Sequence, residues 1–177
     1  MLAVASLLDS VADEQTKDLW RRLEEKCGLT GIWATPFPHF SWMSCQGLDW
    51  SKVSKKLEKV AARVNGFKVT TAGIGIFPGI SPILYLRVVK TPDLLKVHQL
   101  VWKEVGKYLV NPQEYYLPEQ WMPHITIAYG DLNQDNLVCA IRDLAQEART
   151  YEIFVNNIVV MYQTKDGVGI KARFDLE

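Results

Sequence analysis

This chain lacks an excess of either charge: 20 lysine and arginine residues balance 20 aspartate and glutamate residues, and the sequence pI is about 6.8. This balance argues against duplex DNA or an anionic membrane as the main partner. Long apolar runs are also lacking. No stretch approaches the ~18 apolar residues of a membrane helix, and the apolar start MLAVASLLDS has no basic leader. We therefore expect a cytoplasmic protein with no membrane span.

Cysteine is scarce as well, and its three positions do not form a recognisable pattern. Cys27, Cys45 and Cys139 are odd in number and far apart, which gives neither a disulfide framework nor a CxxC metal pair. We therefore expect reduced thiols. The glycine-containing stretch GIGIFPG at 73–79 does not match GxGxxG and precedes no helix. We therefore do not expect it to be a dinucleotide-binding loop. No cofactor is predicted.

The sequence does contain a regular alternation of strand and helix patterns. Strands are predicted from short apolar or β-branched runs at 2–8, 39–45, 67–79, 81–90, 124–130, 152–164 and 168–176. Helices are predicted from apolar spacings of three and four over 10–27, 51–64, 92–108 and 134–149. A hairpin turn is expected at Asp166-Gly167 between the last two strands. This order predicts one α+β domain over 1–177, with one or two antiparallel-rich sheets covered by helices.

Two of the three histidines occur in matching contexts, PHFSW at 38–42 and PHITI at 123–127. Each motif reads proline, histidine, one apolar residue, then a hydroxyl residue. In a strand, residues i and i+2 point to the same face, so His39 should project with Ser41, and His124 with Thr126. The repeat, 85 residues apart, suggests two similar lobes that each present one motif on a strand.

Such a constellation suits phosphoryl chemistry if the two strands face each other. One neutral imidazole can take a proton from the attacking water or hydroxyl, and the other, protonated, can give one to the leaving oxygen. The hydroxyls of Ser41 and Thr126 can donate hydrogen bonds to phosphate oxygens without adding charge. The simpler interpretation of each motif alone is a hydrogen-bonded structural histidine. The repeat of one frame at two of three histidines favours the functional interpretation.

A metal site is the next alternative, and the sequence gives it little support. Zinc requires three or four protein ligands, whereas neither motif is accompanied by HxxxH or ExxH spacing, and His98 lies alone on a predicted helix. The prediction is therefore a site without metal.

The two motifs resemble the paired H-x-[T/S] signatures of the two-histidine (2H) phosphoesterase superfamily, the LigT-like or 2′-5′ RNA ligase family. The resemblance covers nearly the whole chain, with WMPHITIAYG especially similar to the second motif. It implies a bilobal fold of two related, pseudo-symmetric lobes around a central cleft, and hydrolysis or transfer at 2′,3′-cyclic phosphates or 2′-5′ phosphodiester bonds without metal. It further implies that His39 and His124 are the acid/base pair and that Ser41 and Thr126 hold the phosphate. The first motif departs from the family in having Ser where Thr is commoner, followed by an aromatic residue.

Aromatic residues close to the motifs in sequence are candidates to stack on a base or ribose. We single out Tyr115, Tyr116 and Trp42, although aromatic residues in strands more often pack in the core. Lys90, Arg87 and Lys165 could neutralise a phosphate, but a solvated surface charge is the simpler interpretation of each. The expected partner is a small nucleotide or an RNA end, bound by a monomer. The main alternative function is a non-catalytic nucleotide- or RNA-binding module of the same fold; a structural interaction domain is a weaker one.

Overall fold

The computed structural model describes residues 1–146, 150–165 and 167–177. It is an α+β fold of two antiparallel sheets and four helices, which confirms the predicted class. The helices are α1 Ser10–Cys27, α2 Trp50–Ala61, α3 Pro92–Val105 and α4 Gln134–Leu144. The strands are β1 Leu2–Leu7, β2 His39–Leu48, β3 Phe67–Phe77, β4 Ile83–Val88, β5 Leu109–Pro112, β6 His124–Ala128, β7 Glu152–Val155, β8 Asn157–Gln163 and β9 Val168–Asp175.

Helix starts follow the capping residues in the sequence. The Asp9 carboxylate accepts hydrogen bonds from the first backbone N–H groups of α1, and Gly28, with φ of 69°, ends that helix in the left-handed conformation. Thr91 caps α3 with Pro92 as its first residue, and Asn133 forms a capping box at the start of α4. The predicted extension of α4 over 147–149 and the Asp166 half of the last turn lie outside the described residues.

The strands form a five-stranded sheet in the order β5-β2-β1-β8-β9 and a four-stranded sheet in the order β6-β4-β3-β7. The segment 152–164, predicted as one strand, is two strands that belong to different sheets. The chain crosses between the sheets at Asn157, a buried residue whose side-chain amide accepts from Leu7 N and donates to Leu7 O, both at 2.9 Å. The crossing was missed because the polar pair Asn156-Asn157 does not by itself end a strand, and the short β5 lies where the helix and loop patterns adjoin.

The motif strands β2 and β6 belong to different sheets and pack against each other. The buried core beneath them is aromatic: Trp42 stacks on Trp121 with ring centroids 5.5 Å apart, and His98 stacks on Trp121 at 3.8 Å. His98 also lies 3.0 Å from the carbonyl oxygen of Trp42. The third histidine is therefore a structural group of the core that supports β2.

One expectation about the cysteines is wrong. Cys27 at the end of α1 and Cys139 on α4 form a disulfide, with Cα atoms 5.7 Å apart, and only Cys45 is free and buried. The two helices pack side by side, and the buried carboxylate of Asp143 binds the Lys26 ammonium at 2.6 Å beside the bond. The pairing joins residues 112 positions apart, so it depends on tertiary packing that cysteine spacing does not reveal. Within the described ranges, the helices are too short or too polar to cross a bilayer.

Candidate active site

The first motif lies at the start of β2, whose direction is fixed by pairing with β1. Leu7 pairs with His39 and Ala5 with Ser41, so both motif side chains lie on one face of the sheet. The His39 ring nitrogen Nδ1 lies 2.7 Å from the carbonyl oxygen of Phe37. A carbonyl can only accept, so Nδ1 carries the proton in the neutral ring and Nε2 is left with its lone pair.

The second motif repeats this geometry on β6. His124 Nδ1 lies 2.8 Å from the carbonyl oxygen of Met122, again the residue two positions before the histidine. Thr126 pairs with Tyr85 on β4, and both His124 and Thr126 are partly exposed, whereas Ile125 between them is fully buried. In both motifs, therefore, the imidazole is oriented by a backbone carbonyl and Nε2 is the atom available for proton transfer.

The structure brings the two motifs together where the sheets meet. His39 from the first motif and Thr126 from the second line the same small cavity, which Trp20, Thr35 and Phe37 also border. In the second motif, the buried indole of Trp20 holds the main chain, since its Nε1 donates to the carbonyl oxygen of Thr126 at 3.2 Å. A larger surface groove of about 360 Å³ between the ends of α2 and α3 touches neither motif.

The corresponding bond on the other motif runs from Trp121 Nε1 to Ser41 O at 3.0 Å. Trp121 stands three residues before His124, so the segment that leads into one motif also holds the other. Because both partners are buried, the hydrogen bond is protected from competing water.

The two imidazoles share an environment that favours their neutral form. Burial lowers the pKa of His39, the hydrogen bond to the Phe37 carbonyl opposes this, and the charge of His124 lowers it further. Burial likewise lowers the pKa of His124, opposed by the Met122 carbonyl. The electrostatic influence of His124 on His39 means that protonating one ring disfavours protonating the other.

The three predicted aromatic contacts differ in outcome. Trp42 is fully buried, and its Nε1 donates to Ser6 Oγ at 2.9 Å, so its assignment as a base or ribose contact is wrong. Because successive side chains of a strand point to opposite faces, the residue after Ser41 points into the core. Tyr116 is partly buried and its hydroxyl lies close to that of Ser41; burial raises the pKa of Tyr116 to about 12. Tyr115, 60% exposed, packs beside it with ring centroids 5.3 Å apart.

Two aromatic residues near the second motif were missed from the sequence. The rings of Phe77 and Tyr85 stack at 4.2 Å, and their centroids lie 4.8 and 5.2 Å from that of His124. Gly75 makes room for this arrangement, because a Cβ there would lie 2.3 Å from the Tyr85 ring. Phe77 and Tyr85 come from the β3–β4 hairpin, 47 and 39 positions before His124, and only strand register could have revealed them.

Comparison with known proteins gives a consistent result. A model of the 2′-5′ RNA ligase superfamily matches residues 11–167. A Bacillus cereus (strain B4264) protein named “Putative phosphoesterase” is 24% identical over 133 residues, which are 75% of this chain and 69% of that protein. A Bacillus anthracis (strain CDC 684) protein of the same name is 24% identical over 115 residues, 65% of this chain and 62% of its own length.

Solved structures share the fold. The crystal structure of TT0787 of Thermus thermophilus matches with a TM-score of 0.69 at 14% identity, covering 99% of this chain and 97% of that chain. Escherichia coli LigT, crystallised with 3′-AMP, matches with a TM-score of 0.59 at 14% identity and the same coverage. Within the described residues, no group of three or more histidine, cysteine, aspartate or glutamate side chains lies close enough together to hold a metal ion.

Proposed function

Because this chain belongs to the 2′-5′ RNA ligase superfamily, we propose that it is a phosphoesterase that cleaves 2′,3′-cyclic phosphates or 2′-5′ phosphodiester bonds without metal. The observation that carries the proposal is the matched anchoring of the two imidazoles. Each Nδ1 lies against the carbonyl two residues upstream, at 2.7 and 2.8 Å, which leaves each Nε2 for chemistry. A histidine that served only to bind a nucleotide would not need this fixed tautomer at both positions.

In the proposed mechanism the phosphate lies between the two motifs. One neutral imidazole takes a proton at Nε2 from the attacking water, which bonds to phosphorus on the side opposite the scissile P–O bond. The other, protonated at Nε2, gives its proton to the departing ribose oxygen. The first ring ends protonated and the second neutral, so the pair must exchange protons with water before the next turnover. The transfer direction uses a ribose hydroxyl in place of water.

The hydroxyls of Ser41 and Thr126 are proposed to donate hydrogen bonds to the non-bridging phosphate oxygens, where charge increases in the transition state. The carbonyl bonds from Trp121 and Trp20 fix the backbone that carries each hydroxyl. Tyr116 is proposed to act through Ser41: its neutral hydroxyl holds the serine hydroxyl in place until a phosphate oxygen replaces it as the acceptor.

The first test is turnover of a substrate panel: adenosine 2′,3′-cyclic phosphate, 2′-5′-linked ApA, 3′-5′-linked ApA and adenosine 3′,5′-cyclic phosphate. We expect hydrolysis of the first two, unaffected by EDTA. His39→Asn and His124→Asn keep a polar group near the Phe37 or Met122 carbonyl but remove Nε2, and each should reduce kcat about 100- to 10,000-fold. Wild-type rates in the double variant would refute the mechanism, and binding without turnover would favour a non-catalytic nucleotide-binding module.

The pH dependence of kcat/KM provides an independent test. The active enzyme needs one neutral and one protonated imidazole, so the profile is bell-shaped. Burial lowers the pKa of both His39 and His124 below the ordinary 6.5, so both limbs should lie on the acidic side of that value. Above it, kcat/KM should fall about tenfold per pH unit. A profile that rises from pH 6 to 9 would contradict the assignment.

A further inference from the structure

Arg87 lies on the sheet face of the second motif, a position that its sequence context does not reveal. It lies on β4 and pairs in register with His124 on β6. Directly opposed residues of an antiparallel pair project to the same face of the sheet, so Arg87 shares the face of the second motif. Its neighbours Leu86 and Val88 point the other way and are buried in the core, whereas Arg87 is exposed.

The arginine side chain is held in a defined direction. Its Nε donates to the carbonyl oxygen of Ala72 on β3 at 3.2 Å. Ala72 lies at a bulge, where the β3–β4 register shifts between Thr71 and Ile74 and Gly73 adopts a φ of 74°. The bulge leaves this carbonyl outside the regular ladder, where a side chain can reach it. The hydrogen bond to Ala72 directs the guanidinium toward β3, away from β6.

This bond uses one of the five N–H donors of the guanidinium, and the two Nη groups form a fork that suits a phosphate. Among the described residues, no carboxylate forms an ion pair with Arg87. An arginine on this face without an acidic partner is a permanent positive charge on the strand next to His124, whose own pKa is lowered by burial.

The direction of the fork favours a ligand other than the reacting phosphate. Adjacent strands are about 4.8 Å apart, and the fork lies on the far side of β4 from β6, so it is on the order of 5–10 Å from the His124 ring. A phosphate held by Ser41 and Thr126 between the imidazoles lies on the β2 side of β6. The two Nη groups of Arg87 would instead bind a second anionic group of the same substrate.

We propose that Arg87 binds a second phosphate of the substrate. This inference rests on the proposed function and narrows its substrate class. The substrate would be a nucleotide that carries a phosphate in addition to the reacting one, either the internucleotide phosphate next to the terminal nucleotide of an RNA or a terminal 5′-phosphate. A cyclic mononucleotide without a further phosphate would be a poor substrate.

The test compares three substrates: adenosine 2′,3′-cyclic phosphate, its 5′-phosphorylated form, and the dinucleotide ApA with a 2′,3′-cyclic end. In the wild type, kcat/KM should be about tenfold or more higher for one or both substrates with a second phosphate, mainly through a lower KM. Arg87→Gln should bring that ratio to about one. Arg87→Lys should retain only part of the preference, because lysine keeps the positive charge but lacks the planar fork. Lys68→Gln, at an exposed basic residue of β3 in the same sheet, is the matched control and should keep the ratio.

Each outcome decides the proposal. Preference for the 5′-phosphate or for the dinucleotide identifies which second phosphate is bound. A wild-type ratio near one, or a loss in Arg87→Gln that is equal for all three substrates, would overturn it.

A wild type that hydrolyses none of the three would instead overturn the proposed function. Arg87 can then still be tested by calorimetric binding of adenosine 3′,5′-bisphosphate against adenosine 3′-monophosphate. If the wild type binds the bisphosphate more tightly than the monophosphate and Arg87→Gln loses this difference, the second-phosphate site is supported. Equal affinities of the wild type for the two nucleotides would reject it.

Discussion

The buried His98 should make the stability of this protein depend on pH in a way that one substitution can isolate. Its side chain is fully buried against Trp121, and burial lowers its pKa from 6.5 to about 4, opposed by the backbone carbonyls of Trp42 and Tyr116. The positive charge of Lys90 lowers it slightly further. In the unfolded chain the same imidazole has its ordinary pKa.

The sign and size follow from proton linkage. The folded pKa is depressed, so between pH 6.5 and 4 the unfolded chain binds a proton that the folded protein does not. The contribution of neutral His98 is therefore complete above about pH 6.5 and is lost as the pH falls toward 4. At 1.36 kcal/mol per pKa unit, the loss is about 3 kcal/mol, a large part of the stability of a small domain.

The assay is urea unfolding at pH values from 8 to 4 for the wild type and His98→Phe. Phenylalanine keeps the stack on Trp121 but cannot titrate, and it leaves the Trp102 indole N–H without its acceptor, a cost of about 1–3 kcal/mol at every pH. Carboxylates and the other histidines titrate in both proteins and cancel in the difference. The stability advantage of the wild type should shrink by about 3 kcal/mol from pH 7 to 4.

A difference between the two proteins that stays constant over this range would refute the reasoning. Lys90→Gln is a second control: removing that charge raises the pKa of His98 and should slightly reduce the acid loss. The assay also reports on the site, because His98 contacts the carbonyl oxygen of Trp42, next to Ser41.

Three further predictions concern other supports of the fold. Gly75→Ala should lower kcat/KM for a cyclic phosphate about tenfold or more, since its Cβ would displace the Tyr85 ring from beside the second motif. Asn157→Ala should lower the free energy of unfolding by about 1–3 kcal/mol in urea, because it leaves a backbone N–H and C=O of β1 unpaired. Reduction of the Cys27–Cys139 bond, which closes a 112-residue separation, should lower it by about 2–4 kcal/mol.

Each of these predictions has a control in the chain. Gly47→Ala places a Cβ at an ordinary 3.6 Å from Val110, so equal losses at both glycines would contradict the Tyr85 argument. Gln163→Ala removes an exposed amide from the same strand as Asn157 and should change the free energy of unfolding little. A Cys45→Ala protein should lose as much stability with reductant as the wild type, since that cysteine is free; a smaller loss would point to another pairing.

Local features of the site could be predicted from the sequence, whereas its assembly could not. The period of two in a strand places His39 with Ser41 and also sends Trp42 to the opposite face, so the error at Trp42 was avoidable by the same rule. The contact between Tyr116 and Ser41 and the rings of Phe77 and Tyr85 around the second motif depend on which strands pair. That choice is made by packing between distant segments.

The split of 152–164 illustrates the same point in the fold. An apolar pattern interrupted only by Asn156 and Asn157 is compatible with one long strand or with two that enter different sheets. The buried amide of Asn157 decides between them, because it satisfies both backbone groups of Leu7 where the chain changes sheet. The Asn156-Asn157 pair in an apolar run was the available signal, and the sequence alone does not distinguish it from tolerated exposed residues.

A site divided between two sheets requires supports that belong to neither sheet's hydrogen-bond ladder. The two indole bonds, Trp20 to Thr126 O and Trp121 to Ser41 O, have this character, since both donors come from outside the sheet that they hold. If the hydroxyls must reach one phosphate together, a shift of about 1 Å at either carbonyl costs much of the rate. Loss of either indole should therefore lower kcat/KM by more than the accompanying loss of stability explains.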